Sequence, residues 1–216
     1  MYASHGVMTV RTSAGTWVVP PQRAVWIPAR VVHTVRMSGR VSMRTLYLRA
    51  RMVRSLPRSC RVVNVSPLLR ELVLHACRFP SLARRRPSQA HLIDVIVDQL
   101  EAVESIPLQL PAPNDPRAAR VADALTRDPA DSRTLEQICR DCGASKRTVE
   151  RLFLTETNMT VGEWRKQSRL MRSLQLLAAG EKITRVAAEA GYSTPSAFIS
   201  MFRREVGQTP RRYFAG

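Results

Sequence analysis

The same short pattern of residues occurs twice in this chain, 48 positions apart (183 − 135). The copies span residues 135–153 and 183–202, and the shift aligns apolar with apolar and small with small residues. In each copy, apolar residues at i, i+3 and i+7 predict a first helix with one buried face. Gly143 or Gly191 then supplies the positive φ that a tight turn requires. The repeat therefore predicts two copies of one helix–turn–helix structure.

Residues on either side of each glycine support this interpretation. Ser145 and Ser193 stand where a side-chain oxygen would cap the following helix. Cys139 and Ala187 are small where two helices must cross closely. In DNA-binding proteins the second helix of such a unit lies in the major groove, so the pattern favours nucleic-acid binding.

Net charge agrees with a polyanionic partner but does not locate its site. The chain of 216 residues carries +17 at pH 7, enough to favour nucleic acid. Residues 1–113 hold 16 basic and 5 acidic groups (+11), and residues 114–216 hold 18 and 12 (+6). The half with the repeat is thus the less basic one, and an arginine-biased composition explains the N-terminal excess equally well.

Location and membrane contact can also be predicted from composition. No apolar run approaches the roughly 18 residues of a membrane span, and the N-terminus lacks a signal-peptide pattern. Four scattered cysteines are typical of a reducing compartment. We therefore expect a cytoplasmic protein with no membrane contact.

The N-terminal half alternates between apolar and polar residues in short segments separated by turns. This pattern predicts strands at residues 7–12, 15–19, 24–28, 33–37, 41–49 and 60–65. Such spacing favours a small sandwich or barrel. Helical periodicity follows from Pro67 and again from Ser88 to about Glu104. The apolar stripe of the 88–104 helix is explained equally well by core packing and by pairing with the same helix of a second subunit.

Four prolines within residues 107–116 separate the two halves. They cannot continue a helix and are typical of a semi-rigid linker. We therefore divide the chain into an N-terminal domain (1–106), a linker (107–116) and a C-terminal domain (117–216). The predicted fold class is α+β, with a partial β-barrel and two helices followed by an all-helical domain.

In the C-terminal domain a long helix joins the two repeats. Thr134 with Gln137, and Thr160 with Glu163, form capping-box patterns at the start of the first repeat and of the joining helix. A joining helix of about 18 residues would be about 27 Å long. Adding the width of a recognition helix gives roughly the 34 Å repeat of B-DNA. One chain could thus place two helices in successive major grooves of an asymmetric site.

The C-terminal hundred residues resemble the AraC/XylS family of bacterial transcription regulators. The resemblance rests on matches at Cys139–Ser145, Arg151–Phe153, Val186–Tyr192, Phe198 with Phe202, and Gly207–Tyr213. The N-terminal half resembles the cupin-type sensory domain of that family through segments 15–21, 24–28 and 65–72 and through His33. Family members have more strands before this point, so we expect a shortened barrel or a misassigned start at Met1.

The resemblance implies a sequence-specific DNA-binding regulator that is not an enzyme and needs no cofactor. Its implied partners are promoter or operator DNA, RNA polymerase, a small-molecule effector and a second subunit bound through residues 88–104. In the first unit, Arg147, Glu150 and Arg151 match the positions that reach bases, where Arg can bond guanine and Glu can accept from cytosine. Ser145 and Lys146 are assigned to phosphate.

The second unit is poorer in base-reading side chains. Pro195, Ser196 and Ser200 match the groove-facing positions, and Ser200 stands where an arginine is common in the family. We therefore expect this unit to position the backbone more than to read bases. The residues assigned to phosphate here are Thr194, Arg203, Arg204 and Arg211.

Other functions are less well supported by the residues. Cys139 and Cys142 have metal-like spacing, but the second repeat has Ala187 and Ala190 there, which indicates helix core. A cupin-type metalloenzyme would need three convergent ligands, and His33 has only His5 near it. A sequence-indifferent packaging protein would suit the charge without needing two patterned helices. An effector pocket, if formed, is assigned to Trp17, Trp26 and His33.

Overall fold

The N-terminal domain is a sandwich of two antiparallel sheets. The structure is a computed structural model and describes residues 1–214. Sheet 1 has the strand order β6-β1-β4-β7-β8 and sheet 2 the order β5-β2-β3-β9. The strands are β1 (Tyr2–Ala3), β2 (Val7–Thr12), β3 (Gly15–Val19), β4 (Arg23–Trp26), β5 (Thr34–Ser38), β6 (Met43–Arg44), β7 (Arg61–Asn64), β8 (Ser105–Ile106) and β9 (Gln109–Pro111).

Strand alternation separates an inner from an outer face in each sheet. In sheet 2, Val10 pairs with Trp17 and Thr9 with Val18. Because neighbours along a strand point to opposite faces, Val10 and Trp17 face sheet 1, whereas Thr9 and Val18 face away from it. The inner side chains join Val25 of sheet 1 in one buried core. The predicted 7–12/15–19 hairpin is therefore confirmed, as is the two-layer β domain.

Two helices cover the outer face of sheet 1. They are α1 (Pro67–Ala76) and α2 (Pro87–Glu101). Leu69 and Val73 of α1 form a second cluster with Tyr2 of β1. The first begins at Pro67 as expected, with Ser66 accepting a hydrogen bond from the Leu69 amide at 3.1 Å. The second begins at Pro87, one residue before the expected Ser88, and ends three residues before Glu104.

The expectation of a strand over residues 41–49 was wrong beyond a short segment. Only Met43 and Arg44 pair with a neighbour, β1. Leu46 turns inward to pack beside Tyr2, while Tyr47 is 94% exposed. Within residues 1–214 no strand pairs with the other edge of β6, so the backbone of a longer strand here would lack hydrogen-bond partners.

Part of the segment predicted as a linker belongs to the sheet. Residues Gln109–Pro111 form β9, which pairs with β3 in the register Gly15↔Pro111 and Trp17↔Gln109. Proline is compatible with this position because β9 is an edge strand and Pro111 is its last residue. Gly15 is required here, since a Cβ on it would lie 2.5 Å from the Leu110 carbonyl oxygen.

The C-terminal domain is helical throughout its described part. Its helices are α3 (Pro116–Arg127), α4 (Leu135–Asp141), α5 (Lys146–Thr157), α6 (Val161–Ala178), α7 (Ile183–Glu189), α8 (Pro195–Val206) and α9 (Pro210–Phe214). Both predicted capping boxes are present, at Thr134 with Gln137 and at Thr160 with Glu163. The joining helix α6 has 18 residues, as expected. No described helix is long and apolar enough to cross a membrane.

The two domains meet where α6 crosses the outer face of sheet 2. Near its start, Trp164 Nε1 donates a hydrogen bond to the Pro111 carbonyl at 2.9 Å. Further along, Gln175 Nε2 donates to Thr9 Oγ1 at 2.9 Å. At its end the Ala178 carbonyl lies against Gly39, just after β5. The helix therefore contacts all four strands of sheet 2 in turn.

Candidate nucleic-acid interface and effector cavity

The first helix–turn–helix unit consists of α4 and α5. Gly143 adopts φ +70 in the turn, and Ser145 Oγ accepts a hydrogen bond from the Thr148 amide at 3.2 Å. The inner side of α5 carries Val149, Leu152 and Phe153, which are all buried. The Phe153 ring packs edge-on against the Trp164 ring of α6, with centroids 5.6 Å apart. The unit is thereby fixed in orientation on α6.

The opposite side of α5 presents the three side chains assigned to bases. Arg147, Glu150 and Arg151 are all exposed. Lys146 Nζ lies 4.0 Å from Glu150 Oε1 across one helical turn, with both side chains about half exposed, so the pair is weak. Within the described chain neither Arg147 nor Arg151 forms an ion pair. Their guanidinium groups can therefore reach an external acceptor without breaking an internal contact.

The second unit, α7 and α8, repeats this construction with fewer charges. Gly191 adopts φ +75. The helix cap is Thr194 and not the expected Ser193, since Thr194 Oγ1 accepts a hydrogen bond from the Ala197 amide at 3.1 Å. Phe198 and Phe202 are buried on the inner side of α8. The outer side consists of three small, exposed residues assigned to the groove, which are Pro195, Ser196 and Ser200.

The residues assigned to phosphate lie on exposed positions of both units. Ser145 and Thr194 use their hydroxyl oxygens as helix caps. Arg203 and Arg211 are exposed and form no ion pair within residues 1–214. Arg204 lies 3.2 Å from Glu205, which also binds Lys166, so its charge is already partly balanced.

Three arginines along one face of α6 have structural roles that the sequence did not indicate. Arg165 donates to the Asp131 carbonyl, and Arg169 Nε donates to the Pro129 carbonyl at 2.8 Å. Arg172 binds Glu189 of α7 at 3.1 Å. Burial lowers the pKa of Arg169, whose guanidinium carbon lies 5.9 Å from the centre of the Tyr192 ring. Arg165 and Arg169 thus hold α6 to the loop between α3 and α4, and Arg172 holds it to α7 of the second unit.

Cys139 and Cys142 lie within or against the core of the helical domain and form no disulfide in the part of the chain that the structure describes. Cys139 is fully buried, and burial raises the pKa of its thiol to about 11. Cys142 is also a free thiol. Within residues 1–214 no group of three His, Cys, Asp or Glu side chains converges as a metal site would require.

The three residues assigned to an effector pocket do not surround one cavity. Trp17 lines a cavity of about 450 Å³ with Cys60 and Gln109. Trp26 lies on the opposite side of sheet 1, and its Nε1 donates to the Pro57 carbonyl at 2.7 Å. His33 is exposed, with Nδ1 2.8 Å from the Val31 carbonyl oxygen. Only Trp17 therefore keeps a position facing the space between the sheets.

One polar atom of Trp17 is unpaired within residues 1–214, although it has no surface that opens onto the cavity. The indole N–H of Trp17 is buried and has no hydrogen-bond partner within the described residues. Buried donors are normally paired because leaving one unpaired costs free energy. Cys60 and Gln109 lie on the same wall, as do two serines. Sequence reasoning missed Cys60 and Gln109 because the prolines around residue 109 hide the alternation of β9.

Comparison with known proteins agrees with this arrangement in both domains. Residues 1–110 match the family model described as AraC-like ligand binding domain, and residues 138–216 match a helix-turn-helix domain. The chain belongs to the AraC family of transcription regulators. This AraC-family regulator is thus a DNA-binding transcription regulator, and its relatives are regulators rather than enzymes.

Two relatives and one solved structure illustrate the similarity. The transcriptional regulator NimR of Escherichia coli is 33% identical over 213 residues, covering 99% of this chain and 78% of NimR. RipA of Corynebacterium glutamicum is 38% identical over 107 residues, which are 50% of this chain and 32% of RipA. The DNA-binding domain of AdpA, solved in complex with a target DNA, is 29% identical over 47% of this chain and 92% of that one, with a TM-score of 0.42.

Proposed function

We propose that this regulator binds an asymmetric DNA site by placing α5 and α8 in successive major grooves. The supporting observation is that both helices turn an apolar side toward the core of the helical domain and an exposed side outward. They are joined by an 18-residue helix, about 27 Å long, which suits a groove repeat of about 34 Å.

The two units contribute unequally in this proposal. Arg147, Glu150 and Arg151 of α5 read bases, because guanidinium and carboxylate groups discriminate between base edges through their hydrogen bonds. Pro195, Ser196 and Ser200 of α8 offer little of this chemistry, so α8 mainly fixes position. Phosphate contacts come from Ser145, Lys146, Thr194, Arg203, Arg204 and Arg211, which lie at exposed positions of the two units.

Selection from a randomised duplex pool tests the DNA proposal. With the full chain at physiological salt, we expect one strongly conserved box and one weaker box about one helical turn away. Strong, salt-sensitive binding to every sequence, with no enriched site, would instead indicate a packaging protein.

Replacing Arg151 tests the assignment of base readout. We expect Arg151→Ala to relax the preference at one base pair, by roughly 1–3 kcal/mol of discrimination. The exposed Arg78 of the N-terminal domain gives the control Arg78→Ala, which should leave the preference unchanged. Equal weakening of Arg151→Ala on every sequence would show a phosphate contact and contradict the assignment.

We also propose that the N-terminal domain binds an effector in the Trp17 cavity. Its volume of about 450 Å³ is in the range of small-molecule sites, and its wall combines the Trp17 side chain with the polar residues Gln109 and Ser105. Trp26 and His33 have no part in this cavity. We propose that the domain boundary lies within residues 112–116, because β9 (Gln109–Pro111) belongs to sheet 2. Contact with RNA polymerase and a cytoplasmic location are proposed on the sequence and on family membership alone.

Self-association through residues 88–104 has narrower support. Ile93, Ile96 and Val97 are buried within the subunit, which favours core packing for most of the stripe. Val95 remains 41% exposed, and we propose only this side of α2 as the homodimer contact. Analytical ultracentrifugation of Val95→Asp tests it, since an unchanged mass distribution would exclude the contact.

A further inference from the structure

We infer that strand β9 transmits occupancy of the Trp17 cavity to helix α6, so that the proline-rich segment acts as the coupling element between effector and DNA. This inference rests on the proposed function and adds the route by which it is regulated. It concerns a strand that forms one wall of the cavity and is also hydrogen-bonded to the helix that joins the two recognition units.

The cavity side of β9 is defined by its pairing with β3. Gln109 lies opposite Trp17, and both line the cavity. Pro107 and Pro111, which flank Gln109, line it as well. A ligand that packs on the Trp17 side chain in this cavity would therefore touch β9 directly.

The same residues are held by α6 on their other side. Gln167 Nε2 donates a hydrogen bond to the Pro107 carbonyl, and Trp164 Nε1 donates to the Pro111 carbonyl at 2.9 Å. These two bonds bracket the strand at both ends. Since β9 is an edge strand of three residues, it has a neighbour on one side only and can shift at lower cost than β2 or β3.

Movement of α6 would reach the recognition helices without a further joint. Trp164 packs against Phe153 of α5, and Lys166 binds Glu205 of α8 at 2.7 Å. A displacement of β9 by a bound ligand would thus change the position of α6 on sheet 2 and, with it, the position of both helix–turn–helix units. Coupling of this kind needs two sites and one shared element whose position both sites influence.

Cys60 allows the cavity to be filled without knowing the effector. A variant with Cys77→Ala, Cys139→Ala and Cys142→Ala leaves Cys60 as the single thiol, and alanine already occupies the positions equivalent to 139 and 142 in the second repeat. Its thiolate attacks the sulfenyl sulfur of benzyl methanethiosulfonate, which forms a mixed disulfide and releases methanesulfinate. Burial raises the pKa of Cys60, so labelling is done near pH 9 and verified by mass.

Two side-chain changes remove the two hydrogen-bond donors of the proposed link. Trp164→Phe keeps the ring against Phe153 and deletes the N–H, and Gln167→Ala deletes the other donor. Gln175→Ala is the matched control, because it removes an α6 bond to Thr9 on β2, away from the cavity. Each protein is compared with itself, labelled against unlabelled.

The main measurement is the ratio of the DNA dissociation constants of the labelled and the unlabelled protein. In the Cys60-only protein we expect labelling to change affinity for the selected site by at least about fivefold. The ratio should fall below about twofold with Trp164→Phe and Gln167→Ala combined, and should persist with Gln175→Ala. An unchanged affinity on labelling, or an equal ratio in the combined variant, overturns the inference.

Amide hydrogen exchange without DNA separates this inference from the DNA proposal. Labelling should alter exchange at residues 109–111 and 161–178, and the combined variant should lose the effect on 161–178. This result can be obtained even if no specific duplex is found, in which case only the DNA proposal fails. If the labelled protein does not fold, Ser59→Phe fills the cavity from its exposed rim and the same comparisons apply; absence of any exchange change in α6 would refute the coupling.

Discussion

Gly39 is the position where one added methyl group tests the contact between the domains. An ideal Cβ there would lie 2.1 Å from the Ala178 carbonyl oxygen, whereas real Cβ contacts stay above 3.0 Å. The end of α6 must therefore retreat from β5 by about 1 Å. The same displacement would stretch the Gln175–Thr9 hydrogen bond, now 2.9 Å, beyond bonding distance.

The expected cost of Gly39→Ala has two parts. Gly39 adopts φ +73, and forcing alanine into this left-handed region costs roughly 1–2 kcal/mol. Loss of the Gln175–Thr9 bond adds about 0.5–1.5 kcal/mol. We therefore expect a decrease in the free energy of unfolding of about 2–3 kcal/mol in total, measured by urea unfolding with linear extrapolation.

Gly180→Ala measures the conformational part alone. Gly180 has a similar φ of +83 but nothing within 4 Å of an added Cβ, so it should lose only the conformational part. The difference between the two variants then measures the domain contact, on the order of 1 kcal/mol. Equal losses in Gly39→Ala and Gly180→Ala would refute the packing of α6 against sheet 2.

Two further predictions concern single titrating groups. A side-chain hydrogen bond from Arg117 lowers the pKa of Asp115 from 3.8 to about 2; the folded state favours the carboxylate, so this stabilisation is complete above pH 4 and is lost as the pH falls toward 2. Asp115→Asn should weaken the dependence of the unfolding midpoint on pH between pH 4 and 2. An unchanged pH dependence would contradict this. Cys139, with its thiol pKa raised to about 11 by burial, should resist alkylation at pH 8 in the native protein, and Cys139→Ala should retain DNA binding; rapid modification detected by mass would show that the site opens.

The helical domain could be predicted from sequence because its signals are local. Thr134 and Thr160 mark helix starts through residues three positions away, and Gly143 and Gly191 mark the turns. The outward position of Arg151 follows from helical periodicity once Val149 and Phe153 are assigned to the core. These inferences need no knowledge of the rest of the fold.

The features of the fold that the sequence did not predict depend on contacts between residues far apart in the chain. Gln109 becomes part of a strand only because Trp17, far away in the chain, offers a partner, and the nearby prolines suggest the opposite. Val41–Arg49 alternates like a strand but lacks a neighbour along most of its length. The strands of sheet 2 show the usual alternation of apolar and polar residues. Nothing at Thr9 or Gly39 therefore indicates that α6 covers the outer face of the sheet. Residue patterns thus define the elements but not which surfaces meet.

The geometry of α6 fixes how binding sites can diverge among related regulators. Inserting one residue turns everything beyond it by about 100° and advances it by 1.5 Å, so the second unit would leave the DNA face. About two extra turns restore the helix face but advance the unit by only about 11 Å, a third of a DNA turn. The next length that satisfies both helices is about 22 residues longer, which would more than double the length of the present 18-residue helix. New operators should therefore arise by changes on the surfaces of α5 and α8, while the spacing between their two boxes stays constant.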